Sequence, residues 1–513
     1  MSPISVMPNL LDKTVMLLSP KKGLERLQHK ARIAHLEELG YVGASKKRKS
    51  TRGWNASGGS ADSDDLPYTD TLRFRSRDRY RNDGLVTGAI NTKVISAVGT
   101  GLTVQSQVDY KYLKISEEEA IEWEERAERE FNFVAKSKNA DASRTQTFYD
   151  MQFTAMVSMF VSGDVFALMP KLKRKGAIYQ TALALVEADR VCNENDQIDS
   201  NELAGGIRVN ELGEPIEYHI MKQHPYGLDY MMTREWVKVP AYGKKSGRLN
   251  VIHLFKKVRP GQRRGVPVLA PVLEKLKQLD DYTNAELTAA LISGLFTVFL
   301  KSDEPAPEED EGDISLTTGG ITRLYEGEDI SLANPNRPNT AYDPFTTAIL
   351  RQVAIGLDMP YEVMIKHFQS SYTSARASFL EAWRMYKYDR ALIAKNFCQP
   401  FYEAVIEEAV LMGRLDAPGF MNDSFIRKAY LGTTWSGPSA GQINEKVETE
   451  AAEKRVENGF STSELESANI NGTDYATNMR RKKRENQLML ESTPKELRGS
   501  KRWAKDKKEA KIG

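Results

Sequence analysis

Between residues 259 and 300 a basic, glycine-punctuated segment, RPGQRRGVP, runs straight into a helical pattern far longer than a compact domain needs. From Val268 onward Leu269, Val272, Leu276, Leu279 and Tyr282 recur at three- and four-residue spacing, while Lys275, Lys277, Asp280 and Asp281 fall on the other side. At about 1.5 Å per residue this predicts a helix on the order of 45 Å long. A helix of that length, with one apolar stripe and both signs of charge, is a bundle element or a wall piece of a larger assembly; an ordinary long helix of an α-helical domain is the plainer alternative.

The rest of the chain narrows the choice. With 513 residues it has room for roughly two to four domains with real cores. A formal net charge of +2 conceals segregation: residues 21–52 hold ten Lys/Arg against three Glu, and residues 480–513 hold thirteen against five acids. Such ends meet phosphate or are solvated tails; the RRKKR run at 480–484, without interleaved aromatics, fits the solvated form. Two cysteines, Cys192 and Cys398, argue against a disulfide framework and for a reducing compartment. Asp12 and Lys13 interrupt the apolar residues at 10–18, so neither a signal peptide nor a membrane span is expected, and synthesis in the cytoplasm follows.

Residues 1–70 read as a poorly packed arm ending in a Gly/Ser/Asp-rich linker at 53–67, with folding from about Asp70. Residues 72–98, 117–134 and 148–160 read as helices, the first with arginines at 73, 75, 77, 79 and 81. Short β-type runs follow at 165–169, 182–186, 206–209, 216–220 and 251–255, with Asn210 to Gly213 as a hairpin connection. That is an α+β body with an antiparallel sheet. Seven acids without a base, Asp303, Glu304, Glu308, Glu309, Asp310, Glu311 and Asp313, form an exposed loop between strand-like runs at 297–300 and 320–324. A helix starts at Asp343-Pro344; residues 361–375 read as a loop, 376–412 as a long helix kinked at Pro400, and 440–485 as helix again.

Catalytic chemistry is not visible. The chain has no G-x-x-x-x-G-K-[ST], HExxH, CxxC or G-x-S-x-G. Its six histidines are scattered, His219 and His253 in strand-like runs where a structural role fits, and none stands at metal-ligand spacing. The adjacent pairs Asp280/Asp281 and Glu407/Glu408 diverge on a helix and read as solvated faces. No catalytic residue, cofactor or metal is therefore expected. A polar loop between two helices, Lys366, His367, Gln369, Ser370, Ser371, Tyr372, Thr373 and, just beyond, Arg376, could touch phosphates without reading bases, as could many surface loops. For Arg376, pairing or capping within its own helix is an equal alternative.

In order along the chain, RFRSRDRYRNDGLVTGAINTKVISAVGTGL (73–102), TFYDMQFTAMVSMFVSGDVF (147–166), LVEADRV (185–191), GGIRVNELGEPIEYHI (205–220), RPGQRRGVP (259–267), SSYTSARASFLEAW (370–383) and TWSGPSAGQINEKVETEAAEKRVENGFST (434–462) resemble the portal proteins of tailed bacteriophages, lambda-like branch. The resemblance covers about residues 70–487; Ile443-Asn444-Glu445 departs from an Asp-Pro that the family tends to have. It implies a portal-type α+β subunit of a ring, usually twelve-membered, with a flexible arm and linker (1–69), a sheet-rich wing (70–258), a stem helix (259–295), a clip (296–342), a second stem helix (343–360), a tunnel loop (361–375), a long kinked helix returning to the wing (376–439), a helical crown (440–490) and a basic tail (491–513). Leu269, Val272, Leu276, Leu279 and Tyr282 would pack the stem and the inter-subunit contact. The acidic residues would lie in the clip, and the 366–376 polar residues along the DNA channel. Implied partners are further copies of the chain, double-stranded DNA without sequence preference, the terminase large subunit, capsid and scaffold proteins and a neck or tail adaptor, with no membrane. The implied location is the portal vertex of the virion, reached from the host cytoplasm. A packaging or DNA-processing enzyme and a monomeric helical adaptor remain the competing classes.

Overall fold

The computed structural model describes residues 9–39, 42–45, 48–56, 58–228, 234–294, 298–302, 328–332, 341–368, 371–441, 445–473 and 475–492. They fall into two compact units, residues 1–60 and 61–513.

The first unit is more ordered than its composition suggested. Helices α1 (Leu10–Leu18) and α2 (Pro20–Leu39) are separated by Ser19 alone. Asn9 and Asp12 cap α1 reciprocally, and buried Asp12 also binds Arg26 at 2.8 Å and Lys30, which closes the two helices into an antiparallel hairpin. A Cβ on Gly23 would lie 2.6 Å from the Met16 Cα, so the helices meet backbone to backbone there. Leu10, Leu11, Leu17 and Leu18 remain exposed.

In the second unit, α3 (Ala61–Asn82) begins inside the expected linker, with Asp62 and Asp64 in its first turn and Arg79 and Arg81 in its last, where each sign suits the helix dipole. The single helix expected over 72–98 is two. Asp83 accepts hydrogen bonds from the N–H groups of Leu85 and Val86 and so starts α4 (Gly84–Val98). Strand β1 (Thr103–Ser106), the short α5 (Tyr110–Leu113), α6 (Glu117–Ala135) and α7 (Phe148–Ser162) follow, the last two opened by capping boxes at Ser116 and Thr147.

Two antiparallel sheets then replace the one expected. The first has the order β3-β2-β8, from Ala184–Glu187, Asp164–Leu168 and Val251–Phe255. The second runs β4-β5-β6-β7, from Leu203–Ala204, Ile207–Val209, Pro215–Met221 and Trp236–Pro240. Asn210 to Gly213 does form a hairpin turn between β5 and β6: the Gly213 N–H donates to the Asn210 carbonyl and the Asn210 N–H to that of Glu214. Phe166, Val186 and Val251 of one sheet and Ile207, Tyr218 and Ile220 of the other share a single apolar cluster, each fully buried side chain contributing about 1.5–3 kcal/mol.

The remaining helices are α8 (Leu273–Gly294), α9 (Tyr342–Gly356), α10 (Tyr361–Ile365), α11 (Tyr372–Ile393), α12 (Gln399–Leu411), α13 (Ser424–Tyr430), α14 (Glu445–Glu457), α15 (Ser463–Asn471) and α16 (Tyr475–Ser492). Between α8 and α9, β9 (Val298–Ser302) pairs antiparallel with β10 (Glu328–Leu332); the run expected at 320–324 lies outside the described residues. The long helix expected over 376–412 begins at Tyr372 and is interrupted by a π segment, Ala394–Cys398. Pro400 follows at once, and its missing N–H is the physical reason the α-helical ladder shifts there. Strand β11 (Thr433–Ser436) returns to β1. Phe131, Phe148, Phe397, Phe401, Tyr402 and Trp435 form the aromatic centre of the main core beneath it.

Candidate functional site

The arginine-rich segment before α8 is consumed internally. Arg259 pairs with Asp64 at 2.8 Å, and Arg263 binds Asp62 and donates to the carbonyls of Ser200 and Asn201. Arg264, 4 % exposed, makes a fork with Asp164: Nε donates to Oδ2 at 2.6 Å and Nη2 to Oδ1 at 3.1 Å. Its remaining N–H groups reach the carbonyls of Val191, Gly205 and Ala188 at 2.6, 2.7 and 2.8 Å. Asp164 also takes the Gly265 N–H at 3.1 Å and lies 3.3 Å from His253 Nε2, whose ring stacks on Phe166. Burial alone would raise this carboxyl, but the Arg264 guanidinium beside it, with His253, holds it well below the ordinary carboxylate range. Gly163 and Gly265 let the two backbones touch: a Cβ on Gly265 would fall 2.0 Å from the Gly163 carbonyl oxygen. This knot ties the root of α8 to the sheets.

Around it, Arg73 donates to the Ser162 carbonyl and pairs with Asp70, and Arg77 binds the Ser162 hydroxyl and Asp189. Glu187, Asp189 and His224 each bring a potential ligand atom within 4.8 Å of the others. Arg77 already neutralises Asp189, with Arg73 at 3.6 Å, so the group is an ion-pair cluster.

Beyond the root, a 3-10 turn at Ala270–Val272 precedes α8, so the regular helix starts five residues later than the spacing from Val268 implied. Pro267 and Pro271 supply the reason, having no N–H to continue an α-helical ladder. Leu269, Val272 and Leu276 are buried, and Leu279 and Tyr282 are half-buried. Tyr282 stacks on Tyr342 and meets Phe345 edge-on at 4.8 Å, while a Cβ on Gly356 would meet the Val272 side chain at 2.3 Å. Helices α8 and α9 are therefore an antiparallel pair in close contact. Lys277 pairs with Asp281 four residues on, and Asp280 with Arg79 of α3 at 3.1 Å. Farther along, Leu287 and Leu291 are 59 % and 65 % exposed.

The acidic residues from Asp303 to Asp313 lie outside the described residues, as do Gln369 and Ser370. Residues 361–375 are not one loop. Helix α10 buries Val363 and Met364, Lys366 closes it in a left-handed conformation at φ 55°, and Ser371 caps α11. Tyr372, Thr373 and Arg376 thus belong to a helix, which α10 and the Ser371 cap shorten the loop to meet. Lys366, His367, Ser371 and Thr373 are exposed. Arg376 is engaged across helices by Glu448 of α14.

Four buried charged side chains carry little signal in the sequence: Lys93, Asp389, Glu407 and Glu408. Lys93 donates to the Leu357 carbonyl at 2.8 Å and faces Asp389 at 3.7 Å, joining α4 and α11 to the end of α9. Burial pulls the Lys93 ammonium down and pushes the Asp389 carboxyl up. A lysine among Ile90, Val94 and Ala97 was the one visible hint. Glu407 and Glu408, expected on a solvated face, are buried. Glu407 pairs with Arg427 at 2.7 Å; Glu408 binds Lys171 at 2.6 Å and accepts from Gln180 and Thr181, because the sheet end folds over α12. Among the described residues no helix is long and apolar enough to cross a membrane.

The sequence model of a family described as phage portal protein, lambda family, matches residues 47–390. Portal protein B of Escherichia phage lambda is 26 % identical over 456 residues, covering 83 % of this chain and 85 % of that protein. The portal protein of Escherichia phage N15 is 26 % identical over 457 residues with the same coverage. Among solved structures, the neck of a native gene transfer agent particle computed with C12 symmetry matches with a TM-score of 0.41 at 12 % identity, covering 79 % of this chain and 94 % of that one.

Proposed function

The chain belongs to the lambda family of phage portal proteins, and we propose that its α8–α9 pair is the stem through which neighbouring subunits of the portal ring hold one another. The family is structural rather than enzymatic, and the chain is a virion component that forms a ring at the capsid vertex for DNA packaging. The packaging-enzyme and monomeric-adaptor readings give way to that assignment.

One observation carries the stem proposal. The root of the pair is buried through Leu269, Val272, Leu276 and Val353, whereas the far half leaves Leu287 and Leu291 exposed in the single subunit. A closed ring needs head-to-tail contacts, and an uncovered apolar stripe on a long helix suits one. Leu287→Asp with Leu291→Asp should therefore give a subunit that melts like the parent but does not assemble, read by light scattering. Assembly at parental size would remove the far half of α8 from the interface.

In the same reading the ring has twelve members, and the two sheets with α3 to α7 form its wing. The β9–β10 ladder with its acidic loop is the clip that meets the terminase large subunit. Helices α14 to α16 form the crown. The segment around Lys366, His367 and Thr373 borders the channel. Exposure of those three side chains supports this, and Arg376, held by Glu448, serves to fix α11 to α14. Mixed charge along α8 suits passage of DNA of any sequence, because each phosphate firmly neutralised adds salt-sensitive affinity that would retain the strand. Capsid and scaffold proteins, and later a neck or tail adaptor, are the further partners, met during assembly in the host cytoplasm.

A further inference from the structure

A groove of about 1030 Å³ lies between the end of α11 with its π segment and the turn from α13 to β11. Its lining carries Lys387, Arg390, Lys395, Arg427 and Lys428 against one carboxylate, Glu403. Five cations less Glu403 leave +4 on the lining, and +3 once Glu407, which pairs with Arg427, is counted, still more than the +2 of the whole chain. Two of the cations are occupied: Arg390 donates to the carbonyls of Ser96, Ala97 and Pro438, and Arg427 to Glu407. Lys387 reaches the Asn469 amide oxygen at 3.5 Å. Lys395 and Lys428 are exposed and have no carboxylate partner among the described residues. Lys428, in the last turn of α13, answers the carbonyl end of that helix. Lys395 has no such duty, because the π segment runs on into α12 and exposes no helix end.

We propose that this groove is a phosphate-contacting surface for double-stranded DNA, separate from the Lys366 segment and independent of ring formation. Lysine ammonium groups are point charges without the fork that fixes one geometry, which suits a backbone of any sequence and register. Trp435 does not offer a stacking platform for an unpaired base: it is half-buried and its indole N–H donates to Gln399 at 3.2 Å. An acidic protein segment would need an open pocket for an aromatic or aliphatic anchor, and the apolar lining here is Ala391, Ala394, buried Leu431 and the half-buried Trp435, whose indole N–H is already held by Gln399.

The test uses the full chain and a labelled 30-base-pair duplex, with anisotropy followed across salt concentrations. Lys395→Gln with Lys428→Gln should lower the slope of log affinity against log salt by about 1.8, at 0.9 per lost phosphate contact. Lys244→Gln with Lys245→Gln, exposed lysines elsewhere, should leave it in place. In the parent protein, duplex should also slow amide exchange in α13, a readout that needs no variant. An unchanged slope, an equal fall in the Lys244/Lys245 variant, or unprotected α13 overturns the proposal. So does loss of binding to polyglutamate instead of duplex, or a change of assembled mass with DNA binding intact.

Discussion

Arg264 and Asp164 are the side chains on which the root of α8 depends. Both have left water, and each satisfies the other, so removing one strands a buried charge. Arg264→Met should therefore cost about 3–5 kcal/mol, read as a lower denaturant midpoint; adding Asp164→Leu should recover part of it. The pair also sets an acid limit. The Asp164 carboxyl is depressed below its reference value of 3.8, so as pH falls through that value the unfolded chain takes up a proton that the folded chain refuses. The stabilisation is thus complete above about pH 4 and is lost progressively below it. In an Asp164→Asn variant that acid-dependent slope should flatten, as measured by melting between pH 6 and pH 2. The sequence shows RPGQRRGVP as a basic segment and a portal-like motif, but not the partner of any of its arginines. Asp164 stands 100 residues before Arg264, and no local pattern ties a charge to a partner so distant.

At the scale of elements, α8 separates cleanly into faces. Leu276 is buried against the core, while exposed Lys277 pairs with Asp281. Leu276→Asp should destabilise the subunit by several kcal/mol, since an isolated charge cannot be buried unpaired. Lys277→Ala should stay within about 1 kcal/mol, the range of an exposed ion pair. Equal melting shifts would show that the stripe has been placed on the wrong face. The stripe itself was legible because it repeats over several turns, and so were α6, α7, β8 and the Asn210 hairpin, each with strong caps, alternation or turn residues. Short elements were not: β4 has two residues, α10 has five, and β7 ends at Pro240. The Asp83 break between α3 and α4 lies in RNDG, an N-cap signal that the reading of one helix over 72–98 ran across. Of the polar segment at 366–376, composition gave the residues but not that α10 and the Ser371 cap leave only a short link, nor that Glu448 holds Arg376.

On the scale of the whole molecule, the second unit combines the β3-β2-β8 and β4-β5-β6-β7 sheets, the β1–β11 ladder over an aromatic core, the antiparallel α8–α9 pair and the β9–β10 ladder. Within that body nearly every arginine near the stem root is satisfied, whereas the far half of α8 keeps Leu287 and Leu291 in water. A surface of that kind on a long helix is costly unless something covers it, and in a portal the next subunit is at hand. Family membership was legible because several separated segments keep their order; how the stem is anchored was not, since the anchor is tertiary. The most direct test is electron-microscopic imaging of single particles of the purified full-length chain. A portal subunit yields closed rings with an axial hole, in which the far half of α8 lies against a neighbour. Monomers at micromolar concentration, or assemblies in which Leu287 and Leu291 still face solvent, would contradict it.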